Sequence, residues 1–255
     1  MSEAEEPLYG GLANARVFRV GDTVRRPAGA WTPTVQALLA HLQDKGFAAP
    51  KPLGLDDLGR EVVSFLPGIA GLWPWPAALL ETQGARDVGA LLRGYHAAVA
   101  DFVPPSPAVW RHGAQDLPAG EIALHGDFGP YNLIWNDGRL TGVIDFELAR
   151  PGLPIEDAVF AVLRVAHLRP DAFASKLGFA AVPDRRARLN AFAEGYGCTP
   201  DALLARARDG QLGELERMVR LGGAGLEPWK TFLARGLEAR AREELRWLDK
   251  NLGAL

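Results

Sequence analysis

The chain has 255 residues, a formal net charge of -3 and one cysteine, Cys198. A chain of this length buries a core without disulfides, and a single cysteine excludes a disulfide framework and a multi-cysteine zinc site. The negative charge balance argues against a nucleic-acid-binding protein, and no apolar run reaches membrane-spanning length. We therefore expect a cytoplasmic protein that binds neither nucleic acid nor membrane.

The first part of the chain predicts short strands around one helix. Strands are predicted at residues 15–20, 23–26, 52–55 and 61–65. Gly21-Asp22 separates the first two and is a two-residue hairpin signal. Apolar residues then repeat at helical spacing after Thr32, which we expect to cap a helix, and Pro33, which suits its first turn. Gly46 ends this helix.

The second part of the chain predicts mostly helices, and it starts after a break in pattern at Pro67-Gly68. Apolar periodicity predicts helices at about 88–99, 155–168, 185–196, 201–221 and 229–252. Gly210 and Gly213 weaken the fourth of these. The segment at about 122–154 lacks helical periodicity, and the residues suited to chemistry are concentrated in it.

Two carboxylates and a carboxamide meet at one end of a hairpin in this segment. Asp137-Gly138 is a strong hairpin-turn signal between two strand-like stretches. Folding the chain about this turn places Asn132 opposite Val143, give or take one residue, and Asp145 about two positions beyond. Asp127 precedes the same end by a loop. The sequence therefore predicts that three oxygen-bearing side chains converge.

Such a set of hard oxygen ligands suits Mg²⁺, which keeps several waters and shares its coordination shell with substrate phosphates. Taken singly, each residue has a simpler explanation, because an Asp or Asn beside glycine is usually a turn-former or a helix cap. The ordered combination of His-Gly-Asp, a later Asn, a hairpin and Ile-Asp-Phe is not required by turn chemistry.

Three motifs of the chain resemble the aminoglycoside phosphotransferase family, which is related to choline kinase and more distantly to protein kinases. They are the stretches 125–133 (HGDFGPYNL), 142–146 (GVIDF) and 154–158 (PIEDA). The resemblance runs from about Leu8 to the last helix. It implies an α+β, protein-kinase-like two-lobe fold, with an N-terminal nucleotide-binding lobe at 1–66 and a helical lobe at 67–255 that carries the catalytic loop and the acceptor site.

The resemblance also implies roles for individual residues. Asp127 is similar to the catalytic aspartate that orients the acceptor hydroxyl, while Asn132 and Asp145 are similar to the family's metal ligands. His125 is better interpreted as a scaffold for the loop. Asp157 is similar to a buried aspartate of the family that steadies the loop, and the alternative for it is a helix cap. Glu147 could join the metal shell, but we expect a surface or loop-bracing role.

The nucleotide end of the resemblance is less complete. Gly10, Gly11 and Asn14 resemble the family's phosphate-covering turn. Pairing of Val20 with Thr23 would direct Arg25 toward the phosphates, and Arg26 takes that place if the register slips by one residue. The segment Ser64, Phe65 and Leu66 is the expected hinge, where backbone groups would meet the purine.

One departure from the family pattern concerns the phosphate-binding cation. Related kinases carry a Lys there, held by a helix Glu, whereas this helix offers only Val35 or Gln36 at about the expected place. Arg can still bind phosphates, but without that carboxylate its placement must come from another group.

The function implied is transfer of the γ-phosphate of ATP or GTP, with Mg²⁺, to a hydroxyl of a small molecule. Glu156, Glu194 and Glu227 are candidates for contacting a cationic acceptor. The alternative is a nucleotide-binding, pseudokinase-type sensor or sequestering protein that transfers no phosphate, and the missing Lys–Glu pair is the feature that favours it.

Overall fold

The computed structural model describes residues 4–8, 17–111 and 113–255. The chain packs as two compact units. The first holds the described residues up to Gly71 and those of Leu91–Asp157, and the second holds Leu72–Ala90 and Ala158–Leu255. The division into lobes at residues 66 and 67 stays a prediction.

The strands and helices have the following bounds. The strands are β1 Glu6–Pro7, β2 Phe18–Val20, β3 Thr23–Arg26, β4 Pro52–Leu55, β5 Glu61–Ser64, β6 Ile69–Ala70, β7 Val109–Trp110, β8 Gly113–Ala114, β9 Ile122–Leu124, β10 Leu133–Asn136, β11 Arg139–Val143 and β12 Arg150–Gly152. The helices are α1 Thr32–Asp44, α2 Ala77–Leu80, α3 Thr82–Ala98, α4 Pro154–Val165, α5 Ala174–Leu177, α6 Arg185–Tyr196, α7 Pro200–Gly223, α8 Trp229–Ala234 and α9 Leu237–Asn251. Within the described ranges, no helix is long and apolar enough to cross a bilayer.

An antiparallel sheet and one long helix form the start of the first unit. In the described residues the strand order is β1-β2-β3-β5-β4. The register pairs Phe18 with Arg25 and Val20 with Thr23, as predicted. Helix α1 buries its apolar stripe, but its predicted cap is wrong. Trp31 is the cap residue, and the Thr32 hydroxyl instead accepts the Gly29 N–H at 2.9 Å, since Thr32 already lies inside the helix.

A second, smaller sheet carries the predicted hairpin. Its order among the described strands is β11-β10-β6. Asp137 and Gly138 both have positive φ, 49° and 74°, which two-residue turns of this kind require. Leu133 pairs with Val143, so the pairing differs by one residue from the predicted pairing of Asn132 with Val143, which allowed a shift of one residue.

The core below this hairpin is aromatic. Tyr95 is completely buried and donates its hydroxyl to the Ala123 carbonyl at 2.8 Å. Its ring contacts those of His125, Phe128 and Phe146. A buried ring cluster of this kind holds the segments that it contacts in one arrangement, because close-packed side chains have few alternative positions.

The second unit is helical, and most of its helices match the sequence prediction. Helix α6 has the predicted bounds, and α7 continues through both of its glycines. The prediction of one helix at 229–252 is wrong. Gly236 has a φ of 75° and separates α8 from α9, because this left-handed conformation interrupts a right-handed helix.

A buried arginine of α6 supplies the polar contacts at the centre of the second unit. The Arg188 guanidinium donates to the carbonyls of Leu79, Leu80, Glu81 and Val165 at 2.7–3.0 Å. The side chain is 1% exposed. It therefore satisfies carbonyl groups at the end of α2 that have no partner inside that short helix.

Replacing this guanidinium by an ammonium is expected to destabilise the protein. In Arg188→Lys, one ammonium cannot reach all four carbonyls, and we expect a loss of about 2–3 kcal/mol in the free energy of unfolding. The matched control is Arg186→Lys, on the exposed side of the same helix, for which chemical denaturation should give a value close to wild type. Equal stability of the two variants would contradict the assigned role.

Candidate active site

The loop between β9 and β10 is held by a buried carboxylate. Asp157, near the start of α4, accepts the backbone N–H groups of His125 at 2.7 Å and Gly126 at 3.0 Å. Burial alone would raise the pKa of Asp157, but the hydrogen bond and charge of His96 hold it below its ordinary value. The predicted role of Asp157 in steadying this loop is confirmed.

Gly126 is required where this loop turns. Its φ is 77°, and a Cβ at this position would lie 2.1 Å from the Leu148 carbonyl oxygen. Neither the backbone angle nor the space admits a side chain. The glycine of the His-Gly-Asp motif therefore lets the chain pass close to the segment that follows Asp145.

His125 ties the loop to the end of the hairpin. Its Nε2 lies 3.0 Å from the Ile144 carbonyl oxygen, and its Nδ1 accepts the Asp127 N–H at 3.2 Å. A carbonyl can only accept and an amide N–H can only donate, so these partners define a neutral ring with its proton on Nε2. Burial lowers the pKa of His125 to about 4. The scaffold role is confirmed.

Asp127 receives hydrogen bonds from two residues of the turn that follows it. The Asn132 amide nitrogen donates to the Asp127 carbonyl at 2.9 Å and to its Oδ2 at 3.1 Å. The Tyr131 hydroxyl donates to Oδ1 of the same carboxylate. Because the nitrogen of Asn132 is directed to Asp127, the oxygen is the atom that this side chain offers to a cation.

Asp145 lies directly beyond the hairpin, at the end where Asn132 enters it. The backbone N–H of Ile144 bonds to the Asn132 carbonyl at 2.9 Å, which links the two positions. Asp145 has a φ of 69°, and its side chain is 34% exposed. Burial and the Glu147 carboxylate raise the pKa of Asp145 to about 6. A nearby cation would favour its charged form.

The oxygens of Asn132 and Asp145 fit a divalent cation that binds together with phosphates. Among the described residues, no cluster of three or more His, Cys, Asp or Glu side chains forms a ready-made metal site. Mg²⁺ commonly takes one or two protein oxygens and completes its shell with waters and phosphates. The Asp145 carboxylate and the Asn132 amide oxygen fit this pattern.

The cation beside Asp145 is Arg26. Its Nη1 lies 3.1 Å from Asp145 Oδ1, and its Nε lies 2.6 Å from Glu61 Oε2. Burial opposes its charge, but the Glu61 and Asp145 carboxylates raise the pKa of Arg26 above its ordinary value. Arg25 instead donates to the Thr23 hydroxyl and lies 3.5 Å from Asp56. The structure thus brings Arg26, the alternative in the sequence analysis, to the hairpin.

The expected hinge uses part of its backbone within the sheet. The Ser64 N–H bonds to the Lys51 carbonyl and the Phe65 N–H to the Asp22 carbonyl, each at 2.9 Å or less. Two of the three hinge N–H groups are thus engaged, and purine contacts by Ser64, Phe65 and Leu66 stay a prediction. The predicted phosphate-covering residues Gly10, Gly11 and Asn14 lie outside the described residues.

Three of the four other acidic candidates form ion pairs with arginines, whereas Glu227 accepts the Thr231 N–H at 3.2 Å. Glu147 is buried and lies 2.6 Å from Nη1 of Arg111, which rules out the surface role and agrees with the loop-bracing one. The Arg111 guanidinium also lies over the Trp31 ring. Two of the acceptor candidates are engaged in the same way, Glu156 with Arg150 and Glu194 with Arg86.

Sequence reasoning missed two residues of this site. The sequence pattern does not single out Glu61, because it predicts the carboxylate partner on a helix, whereas Glu61 lies on a neighbouring strand. Tyr131 enters the sequence prediction only as part of the motif. The available signals were a charged residue at the first position of a predicted strand and a hydroxyl four residues after the central aspartate.

Comparisons with known proteins relate this chain to a family of phosphotransferases. A model of the phosphotransferase enzyme family, APH, matches residues 106–192. The trifolitoxin immunity protein of Rhizobium leguminosarum bv. trifolii is 34% identical over 199 residues, which are 76% of this chain and 74% of that protein. A homoserine kinase of Granulibacter bethesdensis is 30% identical, over 46% of this chain and 48% of that enzyme.

A solved structure shares the fold. Amicoumacin kinase hAmiN, in complex with AMP-PNP, Ca²⁺ and Ami, superposes with a TM-score of 0.57 at 15% identity, over 94% of this chain and 86% of that one. The protein-kinase-like α+β fold is therefore confirmed. Together with the family match, the comparisons support a small-molecule phosphotransferase and not the nucleotide-sensing alternative.

Acidification is expected to destabilise the protein through His125. Its pKa is about 4 when folded and 6.5 when unfolded, so the unfolded chain takes up the proton first as the pH falls. The contribution of His125 to the free energy of unfolding is complete above the unfolded pKa. It then falls by about 1.4 kcal/mol per pH unit until the folded pKa is reached.

Denaturant unfolding of wild type and His125→Gln over this pH range checks the expectation. The variant lacks the titrating ring, so its stability should fall less steeply than that of wild type. Groups that do not interact with His125 contribute equally to both proteins and cancel in the comparison. Parallel pH profiles would show that His125 is protonated equally in the folded and unfolded chains.

Proposed function

The chain belongs to the phosphotransferase enzyme family, and we propose that it transfers the γ-phosphoryl group of ATP, bound with Mg²⁺, to a hydroxyl group of a small molecule. The observation that carries this proposal is the pairing of Asp127 with Asn132 beside Asp145. The Asp127 carboxylate accepts hydrogen bonds from Tyr131 and Asn132, whereas the Asp145 carboxylate contacts the Arg26 guanidinium. These are two different environments, suited to two different roles.

We assign the acceptor hydroxyl to Asp127. Its carboxylate orients the hydroxyl oxygen toward the γ-phosphorus and takes the hydroxyl proton as the new O–P bond forms. The bond between the γ-phosphorus and the β,γ-bridging oxygen breaks, and ADP leaves with that oxygen. The hydrogen bonds from Tyr131 and Asn132 keep the carboxylate in one orientation, and such positioning accounts for much of the catalysis of phosphoryl transfer.

We assign the metal to Asn132 and Asp145, through the amide oxygen and the carboxylate. When bound, Mg²⁺ supplies charge neutralisation for the phosphate oxygens. The complex of amicoumacin kinase with AMP-PNP and Ca²⁺ supports a nucleotide bound with a divalent cation in this fold. ATP is the donor we propose, with GTP as the alternative, and the cytoplasm is the compartment that supplies both.

The acceptor class we propose is a small molecule with a free hydroxyl. The homoserine kinase relative is named for such a substrate, and the immunity protein is named for a toxin. Since Glu156 and Glu194 are already paired with arginines, the described structure favours neither of them as the site of a cationic acceptor. A panel of acceptors should include homoserine, an aminoglycoside and a toxin that carries a free hydroxyl.

Phosphorylated product is expected only when the proposed carboxylates are intact. With Mg²⁺ and ATP, Asp127→Asn should lower turnover by about 10²-fold or more, because the group that takes the hydroxyl proton is lost. Asp145→Asn should lower it as strongly and raise the Mg²⁺ concentration needed. Mass spectrometry of the acceptor panel together with ADP release measures both effects.

The matched control is Asp137→Asn, in the turn of the same hairpin. Asp137 is exposed and has a positive φ, which asparagine tolerates, so turnover should remain close to wild type. Turnover that survives in both Asp127→Asn and Asp145→Asn would refute the assignment of these residues. Equal loss in all three variants would point to a damaged hairpin instead.

A further inference from the structure

We propose that Glu61, supported by Gln36, positions Arg26 as the cation that binds the nucleotide phosphates. This inference rests on the proposed function, because it needs a nucleotide bound beside Asp145. It replaces the helix carboxylate expected from the family pattern by a carboxylate on a neighbouring strand. Arg26 is a binding residue in this proposal, and Glu61 and Gln36 are positioning residues.

The register of the first sheet places the ion pair. Strands β3 and β5 are antiparallel, and Arg26 lies directly opposite Glu61. Directly opposite residues project on the same face of a sheet, at a separation that allows their side chains to meet. Arg25 is opposite Val62, so alternation along β3 directs it to the other face. The fold thus selects Arg26 for the side of the sheet on which Asp145 lies.

Gln36 connects the helix to this pair. Its amide nitrogen donates to Glu61 Oε1 at 2.7 Å, while Glu61 Oε2 receives the Arg26 Nε. The Gln36 oxygen accepts the Gly54 N–H at 3.1 Å, which orients the amide. Both oxygens of the Glu61 carboxylate therefore have partners. A carboxylate held in this way has little freedom to release the arginine.

Arg26 contacts two carboxylates, Glu61, which stays paired with it, and Asp145, which can exchange it for another cation. Glu61 is 1% exposed and stays paired, whereas the Asp145 side chain is one-third exposed and is also the proposed metal ligand. Once Asp145 binds a cation, its charge is compensated, and the Nη groups of Arg26 turn to phosphate oxygens. A forked guanidinium can keep Glu61 through Nε while it binds phosphate through Nη, which a single ammonium cannot do.

Nucleotide binding separates this role from a purely structural one. In Glu61→Gln, Arg26 loses its fixed partner, and we expect affinity for Mg²⁺-ATP to fall by about 10- to 100-fold, the effect of losing a charged hydrogen bond. Adenosine has no phosphates, so its affinity should stay near that of wild type. Calorimetry measures both, and adenosine binding also reports that the sheet is folded.

A charge-swapped variant tests whether the position of the carboxylate matters. Gln36→Glu combined with Glu61→Gln keeps the net charge and moves the carboxylate from the strand to the helix. If direct contact with Nε is required, the double variant remains as weak as Glu61→Gln. If a negative charge nearby is enough, affinity for Mg²⁺-ATP returns and the positioning role of Glu61 is overturned.

Three comparisons complete the experiment. Arg26→Gln should weaken Mg²⁺-ATP more than Arg25→Gln does, and the reverse order would overturn the assignment of Arg26. Asp101→Asn removes the carboxylate of the exposed Lys45–Asp101 pair and should leave both affinities unchanged. Equal weakening of ATP and adenosine in Glu61→Gln would make that residue structural only. The proposed phosphoryl transfer can fail separately from this inference. If Mg²⁺-ATP binding depends on Arg26 but no acceptor is phosphorylated, the transfer proposal is wrong and the role of Arg26 stands.

Discussion

The site depends on one buried carboxylate. Asp157 is almost completely enclosed, and a buried charge is tolerated only when its oxygens receive strong hydrogen bonds. The backbone N–H groups of His125 and Gly126 provide them, so the loop is held at the two residues that precede Asp127. His125 then bonds to Ile144, and the position of Asp145 follows from that of the loop. Asp157, the loop that precedes Asp127 and the hairpin that precedes Asp145 form one hydrogen-bonded unit, although Asp157 is distant from the loop in sequence.

Local signals were sufficient for much of this architecture. The Asp137-Gly138 turn determines the hairpin register, and with it the proximity of Asn132 to Asp145. Apolar periodicity located the long helices, and α6 was predicted to the residue. The prediction failed where a single position decides the outcome, as at Gly236, where one left-handed residue separates two helices that share a continuous apolar pattern. Thr32 failed for a similar reason, because helix start signals locate a cap only to within a residue.

The proposed nucleotide-binding residues depend on strand pairing that the sequence alone does not reveal. The predicted pairing of β2 with β3 is correct, yet it does not identify which face of β3 looks toward Asp145. That depends on how β3 pairs with β5, a strand 35 residues further along the chain, and on its register. The carboxylate partner of Arg26 therefore lies on strand β5 and not on the helix, where the family pattern predicts it. The pairing of β3 with β5 brings Glu61 to Arg26, and helix α1 brings Gln36 to Glu61.

Stability alone does not account for the row of charges beside the hairpin. Glu61, Arg26 and Asp145 follow one another in contact, and the buried Glu147–Arg111 pair lies close by. Replacing buried ion pairs by apolar residues of similar volume is often neutral or stabilising, so such a row is weak support for a structural purpose. It is better explained by what the charges bind. Under the proposals above, the Asp145 carboxylate would bind a divalent cation and the Arg26 guanidinium would bind phosphates, and the contacts among Glu61, Arg26 and Asp145 place opposite charges side by side.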